Sequence, residues 1–295
     1  MSQTITPNLW FERDIEESIS SYVALFDPVA PGGAEVTATS RYPTEGLLDF
    51  QEPMSGSVLT MDFRLGDTAF TAINGGPAFR PNASISFGVA LAERADVDQV
   101  WAALSDGGHV LMDLGEYPFN PYYGWVEDRN GFSWQLSLAA ADAGPRPFVV
   151  PSLLFAGDAV GQAGAALRHY VDVLGGEVGV QAPYPEPSGP AAAGDLMYAD
   201  ALLGDSLVSA MDSGVEMDAP FTEAVSFSVS CHGQEELDRV WAGLSRVPEA
   251  EQCGWCRDEF GVSWQVVPAN LGELMQRPDA YAKLMAMHKI VIADF

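Results

Sequence analysis

One stretch of this chain is written twice. "GFSWQ" at 131–135 returns as "GVSWQ" at 261–265, and Trp125 and Asp128 return with it as Trp255 and Asp258, all at one spacing of 130 residues. Upstream, "SISFGVA" (84–90) and "DVDQVWAALS" (96–105) answer "AVSFSVS" (224–230) and "ELDRVWAGLS" (236–245) at a spacing of 140, so the second copy has lost ten residues between Ser245 and Trp255. Leu65, Gly66 and Asp67 likewise answer Leu203, Gly204 and Asp205. So many identities in one order mark a duplication, and a duplicated chain folds as repeated units. The halves are 1–140 and 148–270, joined by the linker "AAADAGPRP" (139–147) and followed by a helical C-terminal tail, 271–295.

Hydrophobic spacing predicts the same element order in each half. "ITPNLWF" (5–11) reads as a strand, Asp14 with Glu17 as a capping box, and Ile15, Ile19, Tyr22, Val23 and Phe26 as one face of the helix that follows. Strands are predicted at 34–42, 57–65, 68–74 and 84–91, then a helix with Val97, Val100, Trp101 and Leu104 on one face, then strands at 109–116, 122–127 and 132–138. In the second half Ala163, Leu167, Tyr170, Val171 and Leu174 repeat the first helical face, and Gly175 with Gly176 ends it. The order is strand, helix, three strands, twice per half: an α+β chain of four βαβββ units.

Composition narrows the function. With 41 acidic against 14 basic residues the net charge is −27, which repels phosphate backbones and anionic membranes, so neither nucleic acid nor a membrane is expected as a partner. The first residues, "MSQTITPNLWFERD", lack the basic start and long apolar run of a signal peptide, and "FVVPSLLF" is too short to span a bilayer. Three cysteines do not make a disulfide framework and suit a reducing cytoplasm, the expected location.

The paired βαβββ units, "LWF…SSYVALF" and a closing Asp-x-x-Gly-x-x-Trp-Gln strand resemble the vicinal oxygen chelate superfamily, the glyoxalase/bleomycin-resistance proteins. "GGPAF", "VDQVWAALSDGG", "QCGWCRDEFGVSWQVVP" and "AYAKLMAMHKIVIADF" are similar to its PhnB-like branch, along nearly the whole chain. The resemblance implies two cups of strands with helices outside, each cup either holding a divalent metal or binding an organic molecule. It also implies that a fused pair of halves acts as a pseudo-dimer within one chain, so a monomer is expected. Some PhnB-like sequences carry a demethylubiquinone methyltransferase label, but no glycine-rich strand-to-helix loop for S-adenosylmethionine is present.

Strand alternation says which residues line a cup. At 132–138, Phe132, Trp134, Leu136 and Leu138 share the core face, which leaves Gln135 looking into the cup. The same parity places Ile85, Phe87 and Val89 in the core with Ser84 and Ser86 toward the cup, and Leu9 and Phe11 in the core with Thr6, Asn8 and Trp10 toward the cup. Ser152, Ser226 and Gln265 are the second-half counterparts.

In metal-using relatives a Glu stands seven residues after the closing Asp, where this chain has Gln135 and Gln265. Their early-strand ligand positions fall on Thr6 (or Pro7), Ser84, Val150 (or Pro151) and Ala224. The segments "TAFTAIN" (68–74) and "SLVSAM" (206–211) contain no His, Cys, Asp or Glu. Hydroxyls and carboxamides do not hold a divalent ion tightly, so no metal and no cofactor are expected. Cys253 and Cys256 form a lone C-x-x-C whose spacing on a strand sends the thiols to opposite faces, and His109, His169, His232 and His288, the last in the tail helix, are scattered. "PYPEPSGPAAAGD" (183–195) reads as a mobile loop able to cap a pocket.

The leading expectation is a small organic ligand held in a metal-free cup, with sequestration of the bleomycin-resistance kind as one version. Two alternatives stand beside it: a divalent-metal-dependent lyase, isomerase or dioxygenase, and a scaffold without activity. Whether the chain is an enzyme is left open by its residues.

Overall fold

The computed structural model describes residues 5–140 and 144–295; part of the linker, 141–143, lies outside the described residues. Three of the four units form in full and the fourth in contracted form. The first is β1 (Ile5–Phe11), α1 (Ile15–Phe26), β2 (Ala34–Arg41), β3 (Val58–Leu65) and β4 (Thr68–Asn74). The second is β5 (Ile85–Leu91), α2 (Arg94–Ser105), β6 (His109–Tyr117), β7 (Asn120–Glu127) and β8 (Ser133–Leu138). The third is β9 (Val149–Phe155), α3 (Ala163–Leu174), β10 (Gly176–Pro183), β11 (Leu196–Leu203) and β12 (Ser206–Asp212). The fourth is β13 (Val225–Cys231), α4 (Gln234–Leu244), β14 (Trp255–Arg257) and β15 (Ser263–Pro268). No helix among the described residues is long and apolar enough to cross a membrane.

The halves do not each make a sheet. One sheet runs β14-β15-β13-β1-β4-β3-β2 and the other β10-β11-β12-β9-β5-β8-β7-β6. Each joins the first unit of one half to the second unit of the other. The seams are antiparallel: Ile5 to Leu9 of β1 face Val229 to Val225 of β13, and Ile85 to Val89 of β5 face Leu153 to Val149 of β9. The two halves are therefore interlocked, and the pseudo-dimer is built from exchanged units.

Strand parity follows the alternation. Ile5, Leu9 and Phe11, Ile85, Phe87 and Val89, and Phe132, Trp134 and Leu136 are all buried in one continuous core. Trp134 has no exposed surface and lies 5.3 Å, ring to ring, from both Phe26 and Phe87. Burying a large side chain in this way is worth roughly 1.5–3 kcal/mol.

Three expectations fail. Asp14 is not a capping box: it takes the left-handed conformation at φ 57° and its side chain makes no cap hydrogen bond. The 183–195 segment is tied down, since Tyr184 Oη donates to the Asp212 carbonyl at 3.1 Å and Ser188 Oγ to the Gly214 carbonyl at 3.2 Å. The tail is helical only in α5 (Leu271–Leu274), α6 (Ala280–Met285) and a final 3₁₀ turn, and His288 lies in a bend beyond α6.

The contraction of the fourth unit explains the shape of the tail. The unit has no strand matching β6, so the outer edge of the β14 hairpin lacks a neighbour. The tail fills that place: Cys253 N–H donates to the Met287 carbonyl at 2.6 Å and Gly254 N–H to the His288 carbonyl at 2.8 Å. Ile290 is buried against Gly254, and Phe295 is buried too.

Candidate functional site

The repeated closing motif does two separate jobs. Its aspartate is a buried hub. Asp128 Oδ2 accepts from Tyr22 Oη at 2.5 Å and Trp134 Nε1 at 2.9 Å, while Oδ1 accepts from the backbone N–H groups of Asn130 and Phe132. Asp258 repeats the set with Tyr170, Trp264, Phe260 and Val262. Each hub pins the first helix of its half to the closing strand of the next unit, and so ties the two sheets together. Burial pushes both carboxyls above the ordinary Asp value, against the pull of these donors.

The glutamine faces the other way. In the second sheet Gln135 is half-buried on the face opposite Trp134 and Leu136; its Nε2 donates to Ser86 Oγ at 2.7 Å, and Tyr123 Oη donates to its Oε1 at 2.8 Å. The strand register lays Ser133, Ser86, Ser152 and Ser209 side by side across the floor, ending at Asp200. Trp125 Nε1 donates to Ser133 Oγ at 2.6 Å, and Ser152 Oγ is buried without a hydrogen-bond partner among the described residues. Leu154, Met211, Met112 and Trp125 supply an apolar cluster on this side. Tyr117, Phe119 and Tyr123 stand together with ring centroids 5.1–5.7 Å apart, and Phe119 is 64% exposed. Burial pushes the Tyr123 hydroxyl up, so it stays a proton donor at neutral pH.

The first sheet carries the pseudo-symmetric floor. Asn8 sits opposite Ser226 on one side and Thr71 on the other, and Gln265 Nε2 donates to Ser226 Oγ at 3.0 Å. Thr71 Oγ1 donates to Asp62 at the end of this row. Trp10 and Trp255 form its wall, 6.1 Å apart, and "GGPAF" is what holds Trp10. The indole Nε1 donates to the Gly76 carbonyl at 2.7 Å, Phe79 meets the ring edge-on, and a Cβ on Gly75 would lie 2.1 Å from it.

The expected grouping of site residues is therefore corrected. Thr6, Asn8 and Trp10 do not share a cup with Ser84, Ser86 and Gln135; they sit with Ser226 and Gln265, while Ser152 joins Ser84, Ser86 and Gln135. The exchanged units cause this, and no spacing within a half encodes it. Thr6 contributes its carbonyl, which accepts from Asn8 Nδ2 and Ser228 Oγ. Ser84 is held by its backbone, between Asn82 and Leu154. Tyr123 and the hub role of Asp128 were not legible from one strand alone. A signal exists for the latter, because Tyr22, Asp128 and Trp134 recur together as Tyr170, Asp258 and Trp264.

Neither cup fits a divalent metal. Both glutamines turn an N–H toward a serine, Asp62 and Asp200 already accept hydrogen bonds, and no three His, Cys, Asp or Glu side chains converge among the described residues. Burial pushes the Cys253 thiol of the C-x-x-C up to about 12 and raises Cys256 as well, which disfavours the reactive thiolate in both.

The profile of a family described as 3-demethylubiquinone-9 3-methyltransferase matches residues 3–137 and again 147–267. A putative 3-demethylubiquinone-9 3-methyltransferase, PhnB protein, from Bacillus cereus is 33% identical; the match covers 46% of this chain and all of that one, with a TM-score of 0.40. Glyoxalase I from Zea mays is 13% identical over 97% of each chain, with a TM-score of 0.56, a likeness of fold alone. No curated protein matches.

Proposed function

The chain belongs to the family described as 3-demethylubiquinone-9 3-methyltransferases, PhnB-like proteins of vicinal oxygen chelate fold, and on that premise we propose that it binds a small organic molecule, without a metal, in the cup of the second sheet. One observation carries the reading: the Gln135 amide is fixed at both ends, by Tyr123 and Ser86, beside an aromatic wall. A primary amide has two N–H donors, and Ser86 takes only one. The other suits a carbonyl or hydroxyl acceptor on a ligand whose apolar body packs on Tyr123 and Phe119. Concave, mainly apolar surface with a few oriented polar groups is what such ligands need.

The methyltransferase description of the family does not extend to these residues. The chain lacks a glycine-rich strand-to-helix loop for S-adenosylmethionine. A thermal-shift screen of planar carbonyl compounds tests the proposal. A hit should lose about tenfold in affinity in Gln135→Ala, the loss of one good hydrogen bond. Equal affinity in the variant would reject this cup as the site. Elemental analysis of untagged protein tests the competing metal-dependent reading, which one tightly held divalent ion per half would establish.

A further inference from the structure

A cleft of about 490 Å³ opens between Trp10–Asp14 at the end of β1, Phe79–Pro81 before β5 and the Arg129–Gly131 turn before β8. Three of the fourteen basic residues of the chain line it: Arg13, Arg80 and Arg129. Two acids, Glu12 and Asp14, line it too, and Asp14 lies 3.6 Å from Arg13 Nε. Arg80 and Arg129 are exposed, and neither makes an ion pair or a side-chain hydrogen bond among the described residues. In a chain with 41 acids, two arginines in one cleft without a carboxylate partner call for a reason.

The duplication supplies an internal control. At the spacings that relate the halves, Arg80 corresponds to Pro220 (80 + 140) and Arg129 to Glu259 (129 + 130). Arg13 corresponds to Gly157, at the spacing of 144 that takes Phe11 to Phe155. The same scaffold folds in the third and fourth units with none of the three charges, so the fold does not require them.

We propose that this cleft binds a small organic anion: Arg80 and Arg129 grip its carboxylate or phosphate, and Trp10 and Phe79 take its apolar portion. The guanidinium fork matches either anion in bidentate fashion. Trp10 is already positioned by the Gly76 carbonyl and the edge of Phe79, so little side-chain order remains to be imposed on binding. The net charge of −27 repels an anion at long range, and the site acts at contact, inside the Debye length of about 8 Å at physiological salt. This proposal is independent of the Gln135 cup.

Isothermal titration of the full chain with naphthyl phosphate, naphthoate and naphthol tests it, alongside an Arg80→Gln/Arg129→Gln double variant. Both anions should bind the native chain, and the double variant should weaken them by at least about tenfold, the loss of charge-assisted hydrogen bonds. The melting temperature should not move, since neither arginine has a partner to lose. The stronger of the two anions identifies the preferred group. Failure of both anions to bind below about 10 mM, a range in which contacts worth having are measurable, would overturn the proposal. So would unchanged affinity in the double variant, or binding of naphthol as tight as that of the anions. Gln135→Ala should leave anion binding intact; loss there instead would move the ligand to the cup and reject this cleft.

Discussion

At the scale of single residues the closing motif divides into a structural half and a surface half. Asp128 accepts four hydrogen bonds inside the core, and Asp128→Ala strands Tyr22 Oη, Trp134 Nε1 and two backbone N–H groups at once. Each unpaired buried donor costs about 1–3 kcal/mol, so the variant should lose about 3 kcal/mol or more, read by urea unfolding. Asp128→Asn is no rescue, because either orientation of the amide sets an NH₂ against donors. Burial raises the folded-state pKa of Asp128 and Asp258, so the folded chain holds these protons more tightly than the unfolded one. Their stabilising contribution is complete below the ordinary carboxyl value and is lost as pH rises through the raised one. The melting temperature should therefore climb as pH falls through the raised value of these two carboxyls, and less steeply in a double Asp→Asn variant at 128 and 258; a slope unchanged in that variant would contradict the assignment. Gln135 was legible because a two-residue period leaves no third option once Trp134 and Leu136 are in the core. Arg80 and Arg129 were not, because an exposed arginine looks the same in sequence whether or not an acid stands beside it.

At the scale of elements, alternation placed the strands of the first half to within two residues and helical spacing placed the buried faces of α1, α2 and α3, while caps and the path of the tail escaped. The α1 terminus is an example: Asp14 and Glu17 have the right spacing for a box, but the left-handed turn at Asp14 carries its side chain away from the helix. The tail is another. Its helical periodicity from 280 is real for one short helix, yet what fixes its path is the gap left by ten deleted residues elsewhere in the chain. At Gly254, φ 91°, an added Cβ would lie 2.9 Å from Ile290 Cδ1, so the glycine is what lets the tail pack this close to the hairpin. Removing residues 287–295 uncovers that hairpin and takes away the carbonyls bound to Cys253 and Gly254. The truncated chain should react with a thiol reagent at Cys253 and Cys256 at least about tenfold faster than the native one, because reactivity follows access and thiolate fraction. Equal rates would mean that the tail is not the missing strand. Ile290→Ala, within an otherwise complete tail, should cost about 2–5 kcal/mol at a site with no exposed surface.

At the scale of the whole molecule the duplication was plain and the partnership of its parts was not. Identities at 130 and 140 residues define the halves, but β1 has two open edges and could pair with a strand of its own half or of the other; only tertiary packing decides. The choice made here leaves each half with an exposed seam. Half 1–140 alone would present β1 and β5 without β13 and β9, two apolar central strands converted into edges, and edges of that kind seek another chain. Separately expressed halves should thus dimerise or precipitate, and co-expressed halves should recover a one-to-one complex of the same mass as the intact chain. The intact chain, with both seams satisfied internally, should run as a 31.6 kDa monomer in light scattering. A half that stays monomeric and melts cooperatively on its own would show that its two units can pair with each other, and the exchange of units would then be a consequence of the linker rather than of complementary faces.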